Sequence, residues 1–146
     1  MIPTRVHGMI DYASALLLAA GPRLLGWDRR ARRLTDPAAA LTLAYALGTR
    51  YELGAFSGLT MRQHLAVDVA EGIGFLAAAA LMEREPPGVR AALAAYGVFA
   101  LAAASMSEDR SYQGNTGPGR RTRTGAFVME DETYRPSLSL RDRAMA

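Results

Sequence analysis

Both histidines of this chain occupy the same motif, in which an arginine stands two residues before the histidine and an aspartate four residues after it. The two copies are Arg5-x-His7-x-x-x-Asp11 and Arg62-x-His64-x-x-x-Asp68. In a helix, residues i and i+4 share a face, so each carboxylate can hydrogen-bond to its imidazole and fix the tautomer. The second ring nitrogen is then free for a partner side chain, a proton or a metal ion.

Two interpretations of these polar residues stay open. In the first, the two copies form a shared cluster with Glu71, one turn after Asp68, and this cluster binds a metal ion, relays protons or supplies two axial histidines to a haem. In the second, the arginines, histidines and aspartates pair across the two copies and clamp the helices together. We favour the structural clamp, because polar groups near the start of a membrane helix lie at interfacial depth, where they cost little. It requires no metal or cofactor.

Four apolar stretches must position these residues, at about 8–25, 37–49, 65–82 and 91–107. The uncharged cores of the first three are short, and cores of about 10–14 residues are also typical of buried helices in soluble proteins. However, none of the four has the polar face that a helix of a small soluble bundle needs. Four such helices in a chain of 146 residues cannot shield one another from water. The pattern therefore favours lipid as the solvent.

Local signals predict where these helices begin and end. Asp36-Pro37 has the composition of an N-cap followed by proline at the first helical position. Thr60-x-x-Gln63 is typical of a capping box. The run Pro86-Pro87-Gly88 must interrupt the chain between the third and fourth helices.

The recurrence of the motif predicts an internal repeat of two helix pairs, at about residues 3–50 and 60–107. We therefore expect an all-α fold, a four-helix transmembrane bundle over residues 1–107, with both histidines near the same face. The first apolar stretch could instead be a secretory signal, but the equivalent segment at 62–82 argues against cleavage. Arginines are balanced between the two sides, so the positive-inside rule does not decide the orientation.

The opening Arg5-Val6-His7-Gly8-Met9-Ile10-Asp11-Tyr12 and the later Gly21-Pro22-Arg23-Leu24-Leu25-Gly26-Trp27 resemble the repeat of the SPW-repeat family of small bacterial membrane proteins. The similarity covers about residues 3–107. It departs at the Ser-Pro-Trp triplet, where Gly21 and Arg23 flank Pro22, and the second repeat has Ala78-Ala79-Ala80 without a proline. The resemblance implies a four-helix protein of the bacterial inner membrane and supplies no reaction.

A basic run is most simply explained as an anchor to anionic lipid headgroups. It consists of Arg29, Arg30, Arg32 and Arg33. Aromatic residues are not interleaved with it, and the net charge is only +3, so we expect no binding to nucleic acid. The chain has no cysteine, and it has no phosphate-binding loop or nucleophile elbow. We expect a protein that is not an enzyme.

The last part of the chain, residues 108–146, is predicted to be a polar tail outside the membrane. It contains a short apolar patch that could dock on a partner. The residues concerned are Phe127, Val128, Met129 and Tyr134. These features predict a structural or accessory subunit that packs, within the bilayer, against other membrane-protein subunits of a respiratory, photosynthetic or transport complex. The alternative is a small membrane protein that handles a metal, a haem or protons.

Overall fold

The computed structural model describes residues 1–110, which form four α-helices and no strand. The helices are α1 (Thr4–Leu24), α2 (Arg29–Leu47), α3 (Met61–Leu81) and α4 (Pro87–Met106). The described part of the chain thus has the all-α fold that the sequence predicts. The predicted docking residues Phe127, Val128, Met129 and Tyr134 lie outside the described residues.

The start of α2 differs from the prediction. The helix begins at Arg29 rather than at Pro37, because the side chain of Asp28 accepts a hydrogen bond from the backbone N–H of Ala31 and caps the first turn. Pro37 lies inside the helix, where its ring removes one backbone hydrogen bond. Asp36 is not a cap. Its carboxylate pairs with Arg23 of α1 at 2.6 Å.

The other two boundary predictions are confirmed. The Thr60 side chain accepts from the Gln63 backbone N–H, the Gln63 side chain accepts from the Thr60 backbone N–H, and α3 begins at the next residue after Thr60. In α4, Pro87 occupies the first helical position, where its missing N–H costs nothing.

The helices pack as two antiparallel pairs, α1 with α2 and α3 with α4. In the second pair, Gly72 and Gly97 let the backbones cross closely. A Cβ on Gly72 would lie 2.9 Å from the Gly97 carbonyl oxygen, and a Cβ on Gly97 would lie 2.7 Å from that of Gly72. Between the pairs, backbones seldom approach, and contact is made through side chains such as Leu18, Phe75 and Leu93.

Helices α1 and α3 correspond in length and spacing. Helices α1 and α3 both have 21 residues. The interval of 57 residues that separates His7 from His64 also separates the first residues of the two helices, and their last residues. At the end where α1 and α3 begin, two isolated backbone bridges join one pair to the other, between Ile2 and Ser107 and between Thr49 and Leu59.

Large apolar side chains cover much of the outer surface of all four helices. Leu16 of α1 is 68% exposed and Ile73 of α3 is 57% exposed, while both histidines and several threonines and aspartates are buried inside. Two helices, α3 and α4, are long and apolar enough to cross a membrane. Mean hydropathy is 1.5 over the α3 segment and 1.6 over the α4 segment.

Candidate metal centre

Four side chains meet at the end of the molecule where α1 and α3 begin and α2 and α4 end. We call His7, Asp11, His64 and Asp68 the His–Asp cluster. Each histidine lies in the first turns of its helix, and its aspartate follows one turn later on the same face. All four residues are at most 5% exposed. The fold therefore removes the histidine and aspartate of each motif from solvent and brings the two pairs of side chains together.

The closest histidine–aspartate contacts in the cluster cross from one helix to the other. Nε2 of His7 lies 3.0 Å from Oδ2 of Asp68 on α3, and Nε2 of His64 lies 3.1 Å from Oδ2 of Asp11 on α1. The contacts within each motif, one turn apart, are longer at 3.4 Å. The i to i+4 pairs that the sequence suggests are thus present, but the shorter links are those that join α1 to α3.

The outer nitrogen of each imidazole is held by a hydroxyl. Nδ1 of His7 lies 2.7 Å from the Ser107 Oγ, and Nδ1 of His64 lies 2.8 Å from the Thr49 Oγ1. Each hydroxyl already donates its hydrogen to a backbone carbonyl one turn earlier in its own chain segment. Each must therefore accept from the histidine, so both Nδ1 atoms carry hydrogen and both Nε2 atoms face the centre.

On one side, the His–Asp cluster continues into a polar arm, which consists of Tyr45, Glu71 and Thr42 and runs towards the middle of the helices. The Tyr45 hydroxyl lies 2.7 Å from Oδ1 of Asp68 and 2.8 Å from Oε2 of Glu71. Thr42 lies 2.9 Å from Oε1 of Glu71 and also 2.9 Å from the Ala38 carbonyl oxygen. A cavity of about 20 Å³, roughly the size of one water molecule, adjoins these groups.

Hydrogen counting favours a neutral Glu71 in this arm. Tyr45 and Thr42 each have one hydroxyl hydrogen, but each faces two acceptors. If Tyr45 donates to Asp68 and Thr42 donates to its helix carbonyl, their two contacts with Glu71 are left without a hydrogen. A protonated Glu71 supplies a hydrogen to one of these two contacts, whereas an ionised Glu71 supplies none.

The connection between α2 and α3 covers the His–Asp cluster. The ring of Tyr51 lies 5.8 Å from the ring of His64, centroid to centroid, and packs on Gly8, where any Cβ would overlap the tyrosine. Burial, together with the nearby charge of Asp11, raises the pKa of the Tyr51 hydroxyl well above its ordinary value. Tyr51 therefore stays neutral and closes the end of the site.

Two residues that the sequence groups with the clamp lie outside it. Arg5 and Arg62 are exposed, because residues i and i+2 of a helix face different sides, so each arginine points away from its histidine. Arg62 instead lies 3.7 Å from Asp109, near the surface. Glu71 does belong to the site, but as part of the arm rather than of the central cluster.

The predicted lipid-headgroup residues lie in the first turns of α2 rather than in a loop. Arg29, Arg30 and Arg33 are exposed and Arg32 is half-buried. The Arg30 Nε lies 4.0 Å from an oxygen of the buried Glu85, beside the start of α4. They are at the opposite end of the helices from the His–Asp cluster.

Sequence reasoning missed the residues that orient the cluster. The motif gave no indication of Tyr45, whose hydroxyl binds Asp68, or of Thr49 and Ser107. A possible signal existed, because Thr49 and Ser107 each lie just after the second helix of their pair. Only the packing of one pair against the other turns that position into a contact.

One ligand atom from each of the four cluster residues can be chosen so that all lie within 4.8 Å of one another, a separation at which they could hold a single metal ion. A haem does not fit between the histidines, because their Nε2 atoms are 3.2 Å apart and the ring centroids 5.1 Å apart. In comparisons with protein-family models, curated proteins and solved structures, no match to this chain was found.

Proposed function

We propose that this chain is a multi-pass protein of the bacterial inner membrane, built from two helix-pair repeats that the His–Asp cluster clamps together. In this proposal it acts without catalysis, as a structural or accessory subunit of a larger membrane complex. The observation that carries the proposal is the distribution of side chains: all four helices expose large apolar groups, while α1, α2 and α3 bury threonine, histidine, aspartate or tyrosine side chains between them.

This distribution is expensive in water and favourable in lipid. Each large apolar side chain left in water forgoes about 1.5–3 kcal/mol of burial, and the described helices expose more than ten of them. In a bilayer the same side chains face hydrocarbon, while polar groups must find partners inside the protein. Among the described residues most buried polar side chains do so, chiefly in and around the His–Asp cluster.

The clamp is supported by where the pairs touch. Within a pair the helices approach backbone to backbone, but α1 and α3 meet through the cross-contacts of His7 with Asp68 and of His64 with Asp11. Lipid provides little hydrophobic force between helices, so interhelical polar contacts carry a larger share of the association. The position-by-position correspondence of α1 and α3 supports the repeat and agrees with the resemblance to SPW-repeat proteins.

Extraction of the native particle tests the accessory role. The protein would be solubilised from its own membranes in mild detergent, and the mass, composition and absorption spectrum of the particle measured on one sample. A large particle with other subunits supports the role. A small particle made only of this chain would contradict it.

Single cysteines test the number of membrane crossings, because the chain has no cysteine of its own. The variants Leu25→Cys, Ser57→Cys and Arg84→Cys place one thiol in each connection, to be labelled in sealed vesicles by a reagent that cannot cross lipid. Four crossings put positions 25 and 84 on one side and position 57 on the other. If only α3 and α4 cross, positions 25 and 57 share a side and position 84 lies opposite.

A further inference from the structure

We infer that the His–Asp cluster binds one divalent transition-metal ion of the zinc class, held by Nε2 of His7 and His64 and by one carboxylate oxygen each of Asp11 and Asp68. The ion would tie the two helix pairs together. The inference rests on the clamp proposed above for this cluster and names what completes it.

The first argument is the direction of the imidazole lone pairs. Because Ser107 and Thr49 accept from the Nδ1–H groups, a neutral histidine at either position presents the lone pair of Nε2 to the centre. A metal-bound histidine commonly donates its other ring N–H to an oxygen of the protein, which fixes the ring for coordination. Both histidines have this arrangement, supplied by different helices.

The second argument is the spacing of the donor atoms. Donors that lie about 2.0–2.1 Å from a tetrahedral ion are about 3.3–3.4 Å from one another. The two Nε2 atoms are 3.2 Å apart, and Oδ2 of Asp68 lies 3.0 Å from that of His7 and 3.4 Å from that of His64. Asp11 offers Oδ2 at 3.1 Å from His64 and Oδ1 at 3.4 Å from His7. One donor atom from each residue lies within 4.8 Å of the other three, so shifts of the side chains would place all four donors around one ion.

The third argument is charge. When both histidines are neutral, as coordination through Nε2 requires, two ionised aspartates give the buried cluster a charge of about −2, and burying charge without compensation costs several kcal/mol per group. The uncompensated negative charge is clearest at Oδ2 of Asp11. This oxygen is buried and has no hydrogen-bond partner, although the His64 Nε2 is 3.1 Å away. Asp68 differs, since Tyr45 donates to its other oxygen. A divalent cation neutralises both carboxylates.

The donor set selects the class of ion. Two imidazole nitrogens with two carboxylate oxygens suit Zn²⁺ and its first-row neighbours. Calcium takes six to eight oxygen ligands and magnesium a near-octahedral shell of oxygens, and neither matches four converging donors of which two are nitrogen. With four protein ligands the ion has no open position, so its role would be structural rather than catalytic.

The direct test is the metal content and cobalt spectrum of the full-length protein. It would be purified in detergent through a tag without histidine, because a polyhistidine tag binds the same ions. We expect about one ion per chain by elemental analysis, and intense visible absorption of the tetrahedral type after exchange into Co²⁺. A folded protein that holds no metal and gives no such absorption with Co²⁺ would overturn the inference.

Matched variants locate the ion. Asp11→Asn should abolish binding, whereas Asp36→Asn, which changes an aspartate in the exposed pair with Arg23, should leave it intact. Equal metal content in both variants would overturn the assignment.

A gentler pair guards against a cluster variant that fails to fold. Ser107→Ala removes the acceptor of the His7 Nδ1–H and should weaken the affinity for Co²⁺ about 10–100-fold. Ser105→Ala, two residues away and exposed, should not. Equal affinities in these two variants would overturn coordination through Nε2 of His7. A metal-free protein in which the pairs stay clamped would refute the ion but leave the proposed function standing.

Discussion

The two helix pairs are nearly alike at the His–Asp cluster and differ almost everywhere else. In both, a histidine and an aspartate face the centre, and a hydroxyl at the end of the pair's second helix holds the outer nitrogen of a histidine. In each case the histidine belongs to the other pair: Ser107 of the second pair binds His7 of the first, and Thr49 of the first pair binds His64 of the second. The two pairs are similar only at the His–Asp cluster because residues of both pairs must meet the same geometry there. Elsewhere in each pair no shared contact fixes the residue types.

Away from the cluster, the second pair is more apolar and more closely crossed. Its helices α3 and α4 pass the test of length and hydropathy for a membrane span, whereas α1 and α2 do not. The first pair carries the Arg23–Asp36 ion pair and the basic start of α2. Where Gly72 allows close crossing in α3, the corresponding residue of α1 is Ala15.

The polar arm exists on one side only. Glu71 stands at the middle of α3, and the position 57 residues earlier is Ser14, which cannot reach as far. Tyr45 and Thr42 hold Glu71 from α2. The asymmetry shows that the extra carboxyl is not required by the symmetric cluster, so its effects can be measured separately.

The largest expected effect breaks the symmetric part. Asp11→Ala and Asp68→Ala should each lower the free energy of unfolding by about 3–5 kcal/mol, because each leaves a buried polar partner uncompensated. The double variant should cost clearly less than the sum, since both aspartates serve one centre. The measurement is unfolding in mixed micelles followed by circular dichroism. A large cost for one aspartate and almost none for the other would show that the two pairs are not equivalent at the cluster.

A smaller effect tests the closer crossing of the second pair. Gly72→Ala should destabilise the protein by about 1–3 kcal/mol, because the new methyl group meets the Gly97 backbone. Gly74→Ala is the matched control in the same helix: nothing lies within 4 Å of its added Cβ, so stability should hold or rise slightly. If both glycines tolerate alanine equally, the close crossing is not what holds α3 to α4.

The smallest effect concerns the one-sided arm. If Glu71 is protonated, Glu71→Gln keeps a donor and an acceptor of the same shape, and should change the free energy of unfolding by less than about 1 kcal/mol. Glu71→Ala should cost more, because it leaves Thr42 and Tyr45 without a shared partner. The same micelle unfolding assay compares them. Equal losses would mean that Glu71 is ionised and that the hydrogen count is wrong.

Much of the fold follows from the sequence, because helix signals are local. The capping box at Thr60 and the break at Pro86 lie where the pattern predicts. The start of α2 does not lie where the pattern predicts, because Asp28 and Asp36 are both plausible caps. Asp28 caps the helix, while Asp36 forms an ion pair with Arg23 of α1, a contact that the local sequence does not reveal.

The sequence by itself determined the helical class and the histidine–aspartate faces, since the 3.6-residue period of a helix turns spacing into direction. Only the tertiary structure decided that the shorter ion-pair contacts of His7 and His64 cross to the other helix, that Arg5 and Arg62 stay outside, and that hydroxyls at the ends of α2 and α4 aim both Nε2 atoms inward. The physical reason is that these contacts join residues on different helices, and only packing of the pairs determines which side chains meet.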